Sequence, residues 1–192
     1  GCLGICPENA LSPGRRELGS VSEGVAQGTA GEIHFLSGRL RVGEAMSPPL
    51  MRQVLARLFA HLGRGPVDAI IDAPPGVSCP AINAVIESDA ILMVAEPTPF
   101  GFHDFVLAVE AFAPFQKAMG VVINRAGLGD DSVQEYCRDV GLPILAEIPF
   151  ERGIAEGYAR GRVVAGLNAR LGTLFSGLAA SVADLVKEAP RA

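Results

Sequence analysis

Four short apolar runs set the terms for what this chain can fold into: Val67–Ile71, Ala90–Ala95, Gly120–Ile123 and Ile144–Ile148. Each is about as long as a β-strand, and none shows the in–out alternation of a half-solvated sheet. Runs of this kind are buried on both faces. Between them lie stretches near 80–87, 102–113 and 131–140 whose apolar residues recur at helical spacing. Strand–helix alternation with short connections predicts an α/β fold, a mostly parallel sheet flanked by helices on both faces. A last helix is expected over about 167–187, with Leu167, Leu171, Leu174, Leu178, Val182 and Leu185 on one face. That face should dock on the sheet.

Upstream of the alternation the pattern differs. Residues 1–14 carry Cys, Pro and Gly without helical periodicity, and residues 15–46 read as strands and turns. Strands are predicted at Arg16–Val21, Glu32–Leu36 and Gly38–Val42, with Ser37-Gly38 as the hairpin turn between the last two. At Ser47-Pro48-Pro49 a helix begins, with Ser as cap, Pro in the first turn, and Leu50, Val54, Leu55, Leu58 and Leu62 along it. The expected organisation is a small segment over 1–46 followed by a larger domain over 47–192. A length of 192 residues suits one α/β domain plus an appendage.

Composition narrows the function classes. Apolar residues make up 49% of the chain, enough for a sizeable core. The net charge is −5 and no Lys/Arg run occurs, which argues against nucleic acid as the main partner. No run of about 18 apolar residues occurs, which argues against a membrane span. Four cysteines, Cys2, Cys6, Cys79 and Cys137, are too scattered for a disulfide scaffold, so a reduced, cytoplasmic setting is expected. The basic residues comprise fourteen Arg but only two Lys, Lys117 and Lys187.

Two segments carry chemistry. In the first, an apolar strand ends at Asp72 and runs into the rigid turn Ala73-Pro74-Pro75-Gly76. A carboxylate at the C-terminal edge of a parallel sheet sits where ligands bind, can hold Mg²⁺ through water, and is followed by a glycine amide that can approach a phosphate. A strand merely ending in a polar turn would look the same. In the second, Cys2-Leu-Gly-Ile-Cys6-Pro7 fits the last two cysteines of the Cys-x2-Cys-x2-Cys-x3-Cys-Pro run of bacterial-type ferredoxins. Cys2 and Cys6 are thus candidate [4Fe–4S] ligands, of one cluster or of two, with the remaining ligands not in this sequence. A zinc site from Cys2, Cys6 and His34 is disfavoured by the cysteine spacing.

Taken in order, these segments resemble the MinD/ParA-type P-loop ATPases, in the branch that carries an inserted ferredoxin domain. Asp72-Ala-Pro-Pro-Gly76-Val-Ser-Cys79-Pro80 is similar to the Walker B/switch II segment. Glu96-Pro97-Thr98-Pro99-Phe100-Gly101-Phe102-His103-Asp104 is similar to that branch's Glu-Pro-Thr-x-x-Gly-x-His-Asp segment. Val121-Val122-Ile123-Asn124-Arg125 and Ile148-Pro149-Phe150 follow in family order, over about residues 31–165. The resemblance implies ATP and Mg²⁺ as cofactors beside [4Fe–4S] clusters, and Asp72 as the residue that orders Mg²⁺. It implies Gly76 as the γ-phosphate sensor, and Asn124 and Pro149 at the adenine. It also implies a homodimer that couples ATP binding and hydrolysis to electron transfer or cluster handling, with a protein acceptor. Two rivals use the same fold: an amidoligase or synthetase of the CobQ/CobB kind, and a non-catalytic ParA-like positioning or scaffold module.

One element of the pattern is missing. Such ATPases need a Gly-rich loop with Lys followed by Ser/Thr to cradle the phosphates, and no Gly-Lys-Ser/Thr occurs in the 192 residues. In the resembled family the ferredoxin insert follows that loop. The expectation is therefore a chain truncated upstream, inactive as an ATPase by itself, with residues 1–46 a remnant of the insert and its connecting strands. By the same resemblance, a further strand would separate Val67–Ile71 from Ala90–Ala95. Among lesser candidates, Cys79 reads as a small residue packed at a helix start or as a reporter of nucleotide state. Cys137 reads as core, His103-Asp104 as a helix cap, and Glu156 with Arg160 as an exposed i, i+4 pair.

Overall fold

The computed structural model of the protein describes residues 1–8, 10–28, 31–63, 65 and 67–188. The chain falls into two compact units, Gly1–Ile70 and Ile71–Ala192.

The first unit opens with a single helical turn, α1 (Cys2–Ile5), followed by the strands β1 (Gly19–Gly28) and β2 (Gly31–Leu40) and the helix α2 (Pro48–Leu62). The strands pair antiparallel along their whole length, from Gly19 opposite Leu40 to Gly28 opposite Gly31. This corrects the reading of Ser37-Gly38 as the hairpin turn. Gly38 lies inside β2, and a Cβ there would come within 2.9 Å of Val54 Cγ2 on α2. The glycine gives room for the close approach of the helix, whose Val54 and Leu50 side chains would otherwise have to shift. The expected break between Glu32–Leu36 and Gly38–Val42 is absent for the same reason, and the first strand starts at Gly19 instead of Arg16. Leu50 and Leu55 on α2 are buried, and Arg57 pairs with Glu23 of β1 at 3.2 Å.

The second unit is a parallel sheet of three strands, β3 (Ala90–Ala95), β4 (Ala118–Ala126) and β5 (Ile144–Pro149), in that order. Helix α3 (Cys79–Ile86) precedes β3, α4 (Pro99–Phe112) joins β3 to β4, and α5 (Ser132–Val140) joins β4 to β5. Ile91, Met93 and Ala95 of β3, with Val121 and Ile123 of β4, form one core with Ala81, Val85, Phe105, Val109, Val133 and Cys137. Because side chains alternate along a strand, Gly120 belongs to the opposite face. There it meets Leu145 of β5 and Leu185 of α7 (Ala169–Glu188), leaving no room for a Cβ. Each fully buried aliphatic side chain, such as Val121 or Ile123, contributes about 1.5–3 kcal/mol relative to exposure. A further helix, α6 (Arg152–Ala159), and a 3-10 turn at Val164–Gly166 link β5 to α7.

Three of the four expected strands form, and all the expected helices do. Val67–Ile71 does not: it has no regular structure, and Ile70 is 98% exposed. A strand is stable only when its amides and carbonyls find a ladder, and no described strand pairs with this segment. Among the described residues β3 has β4 as its one partner, so its other edge is open. Val94, on the face away from the core, is 64% exposed. By length and apolarity α7 is the one described helix that could cross a membrane, with a mean hydropathy of 1.2 over Ala169–Lys187. Its Leu171 is nonetheless buried, and Leu185 packs against the sheet, as its amphipathic pattern predicts.

Candidate functional site

In a parallel sheet every strand delivers its C-terminus to one edge, where ligands bind. Here that edge gathers Glu96-Pro97-Thr98 after β3, Asn124-Arg125-Ala126 at the end of β4, and Pro149 at the end of β5. Asn124 is in register with Ile148, and Ala126 with Pro149. The Phe150 amide donates to the Ala126 carbonyl at 3.0 Å, extending the pairing past the strand. Asn124 and Pro149 are therefore held on adjacent strand ends.

The register slips between Asn124 and Ala126, and Arg125, within the slip, adopts φ 56°. A left-handed backbone is unfavourable for a side chain as large as Arg. The Arg125 guanidinium donates to Glu96 Oε2 at 3.3 Å, linking the ends of β3 and β4. Thr98 caps α4, its hydroxyl accepting from the Gly101 amide at 3.1 Å. That cap removes the need for His103-Asp104 to do so; both are exposed along the helix.

The loop after β4 crosses over the loop after β3. Gly129 lies so close to Pro97 that a Cβ would fall 1.6 Å from the Pro97 carbonyl oxygen. Farther along the loop, Asp130 accepts from the hydroxyl and the amide of Ser132, at 2.6 and 3.1 Å. These bonds hold its carboxyl below the usual carboxylate range. The Arg125–Glu96 pair and the Gly129–Pro97 approach are the parts of this edge that sequence reasoning missed. No local pattern marks a left-handed Arg, or a Gly whose neighbour lies about thirty residues away in sequence.

The other candidates sit elsewhere. Asp72 and Gly76 lie in an exposed, irregular stretch. Gly76 has φ 79° and open space where a Cβ would be, so its glycine serves the backbone turn and not a crowded approach. Cys79 starts α3 with its side exposed instead of packed, because the buried face of that short helix is taken by Ala81, Ala84 and Val85. Cys137 is in the core, where burial pushes its thiol up. The i, i+4 pair on α6 is Arg152–Glu156, at 2.8 Å, in place of Glu156–Arg160.

Cys2 is the exposed first residue of α1, and Cys6 follows its last turn. Among the described residues no group of three or more His, Cys, Asp or Glu has metal-ligand geometry. A [4Fe–4S] cluster takes four cysteines, so these residues alone do not make a cluster site. The zinc alternative from Cys2, Cys6 and His34 is likewise not assembled; the His34 imidazole faces Glu32 Oε1 at 3.0 Å. Mg²⁺ asks less of a protein, since it keeps several waters and takes one or two carboxylates. Asp72 is an exposed carboxylate, open to a hydrated ion.

No family model matches the chain. It is similar to two uncharacterized proteins of Methanocaldococcus jannaschii. One is 31% identical over 121 residues, covering 62% of this chain and 40% of the relative. The other is 29% identical over 92 residues, covering 48% and 31%. It is also similar to the chlorophyllide reductase 35.5 kDa chain of Rhodobacter capsulatus, 38% identical over 72 residues, 38% of this chain and 21% of that one. The chain thus spans less than half the length of each of these relatives.

Proposed function

We propose that the chain is the base-binding part of an ATP-dependent iron–sulfur protein of the MinD/ParA type with a ferredoxin insert. The observation that carries this reading is the β4–β5 edge, where Asn124 and Pro149 end adjacent parallel strands. An Asn amide there offers both a donor and an acceptor to an adenine edge. The Pro149-Phe150 segment, with Phe150 56% exposed, offers a flat apolar surface for its face. The similarity to a chlorophyllide reductase chain supports a redox-linked role over a purely positional one.

In this reading Asp72 orders Mg²⁺ through water and the Gly76 amide reports the γ-phosphate. Mg²⁺ would supply charge neutralisation at the phosphates. The Gly-rich Lys-Ser/Thr loop and the further cysteines that complete the set with Cys2 and Cys6 would come from sequence outside these 192 residues. The assembled protein would be a cytoplasmic homodimer passing electrons or clusters to an acceptor protein.

The test is the coding sequence extended by roughly 100 residues upstream, about one domain. It should encode a Gly-rich loop with Lys-Ser/Thr and cysteines at ferredoxin spacing. The extended protein should purify with iron and bind Mg-ATP, and Asn124→Ala should weaken that binding about tenfold, or ~1.4 kcal/mol. An upstream sequence lacking both motifs, or unchanged ATP affinity in the variant, would overturn the reading.

A further inference from the structure

A cavity of about 190 Å³ opens where the C-terminal end of α6 meets the start of α7. Its wall includes Glu151, Glu156, Arg160, Arg162 and Asn168. Both carboxylates are already matched, Glu151 by Arg170 at 2.6 Å and Glu156 by Arg152 at 2.8 Å. Arg160 and Arg162 have no carboxylate within 4 Å among the described residues. The wall therefore carries two guanidinium charges that no carboxylate neutralises.

The backbone adds to that bias. Asn168 caps α7, its side-chain oxygen accepting from the Leu171 amide at 2.9 Å, and its carbonyl accepts from Gly172 at 3.0 Å. The start of a twenty-residue helix brings a partial positive charge to the same place. Arg160 and Arg162 are fixed at their backbones, both amides donating to the Gly157 carbonyl at 3.1 and 3.0 Å. This arrangement spaces two guanidinium groups around one small cavity. Guanidinium forks match the oxygens of tetrahedral oxyanions.

We propose that this cavity is a binding site for a small dianionic oxyanion of the phosphate class, held by Arg160 and Arg162. It uses none of the residues assigned to the nucleotide and does not depend on that assignment.

Inorganic phosphate and adenosine monophosphate are titrated separately into the 192-residue chain at constant ionic strength, followed by amide NMR shifts. Inorganic phosphate should shift the Gly157, Asn168 and Leu171 amides saturably, and adenosine monophosphate should do so with similar affinity. In the double variant Arg160→Gln/Arg162→Gln the phosphate affinity should fall at least tenfold. Arg138→Gln, which removes an exposed charge on α5 away from the cavity, should leave it unchanged. Both variants alter exposed side chains, and their dispersed spectra report folding directly. Shifts that do not saturate, an unaffected double variant, or an equal loss in Arg138→Gln would overturn the site. So would a much tighter adenosine monophosphate whose shifts centre on Asn124 and Pro149, which would make the anion part of the nucleotide edge.

Discussion

Gly129 leaves no space for a side chain, because the atom that a methyl group would strike is the Pro97 backbone oxygen. A flexible neighbour could rotate away, but a carbonyl in a buried turn cannot. Gly129→Ala should lower stability by about 1–3 kcal/mol, seen in urea melts as a lower midpoint with an unchanged slope. Cys137 is a second position where burial sets the chemistry. With its thiol held above its ordinary value by desolvation, the folded chain keeps a proton that the unfolded chain releases. Its contribution to stability is therefore complete below the ordinary thiol value, about 8.5, and is lost as pH rises toward the raised one. Melts between about pH 8 and 10 should fall more steeply for the parent than for Cys137→Ala. An aromatic disulfide reagent should label Cys2, Cys6 and Cys79 quickly and Cys137 only on unfolding.

The elements show which parts of the fold a sequence can disclose. Ala90–Ala95 forms over the residues its apolar run marks, and the later strands and helices match their periodicity to within a few residues, because local pattern and packing agree there. Val67–Ile71 carries a similar pattern and remains irregular, since a strand's hydrogen bonds belong to its neighbours and not to itself. Ser37-Gly38 misleads for the converse reason: a glycine that makes room for a helix lying across a strand has the same one-letter signature as a turn. At the candidate site the sequence marks Asn124 and Pro149 as candidates, but their placement on neighbouring strand ends is set by register. The open side of β3 has its own consequence. Unpaired backbone groups beside an exposed apolar face favour edge-to-edge association. Val94→Lys should reduce concentration-dependent light scattering by the chain while leaving its unfolding free energy within about 0.5 kcal/mol of the parent. Unchanged scattering would show that association uses another surface.

At the scale of the whole chain, the proposed base edge is accompanied by no Walker-type phosphate loop. Without a Gly-Lys-Ser/Thr sequence, the 192-residue chain should show no Mg-ATP turnover above buffer and no saturable ATP binding at micromolar concentration. Measurable Mg²⁺-dependent hydrolysis by the purified chain would contradict this. Its iron content after anaerobic reconstitution should stay well below one cluster per chain, as two thiols cannot complete the coordination of four irons. The interlock between Gly129 and Pro97 bears on any attempt to redesign this edge. Two loops in backbone contact cannot be varied in length or sequence one at a time. Grafting a new specificity here would mean transplanting the β3–α4 and β4–α5 connections together as one cassette, whereas either loop moved alone would meet its old counterpart as a misfit.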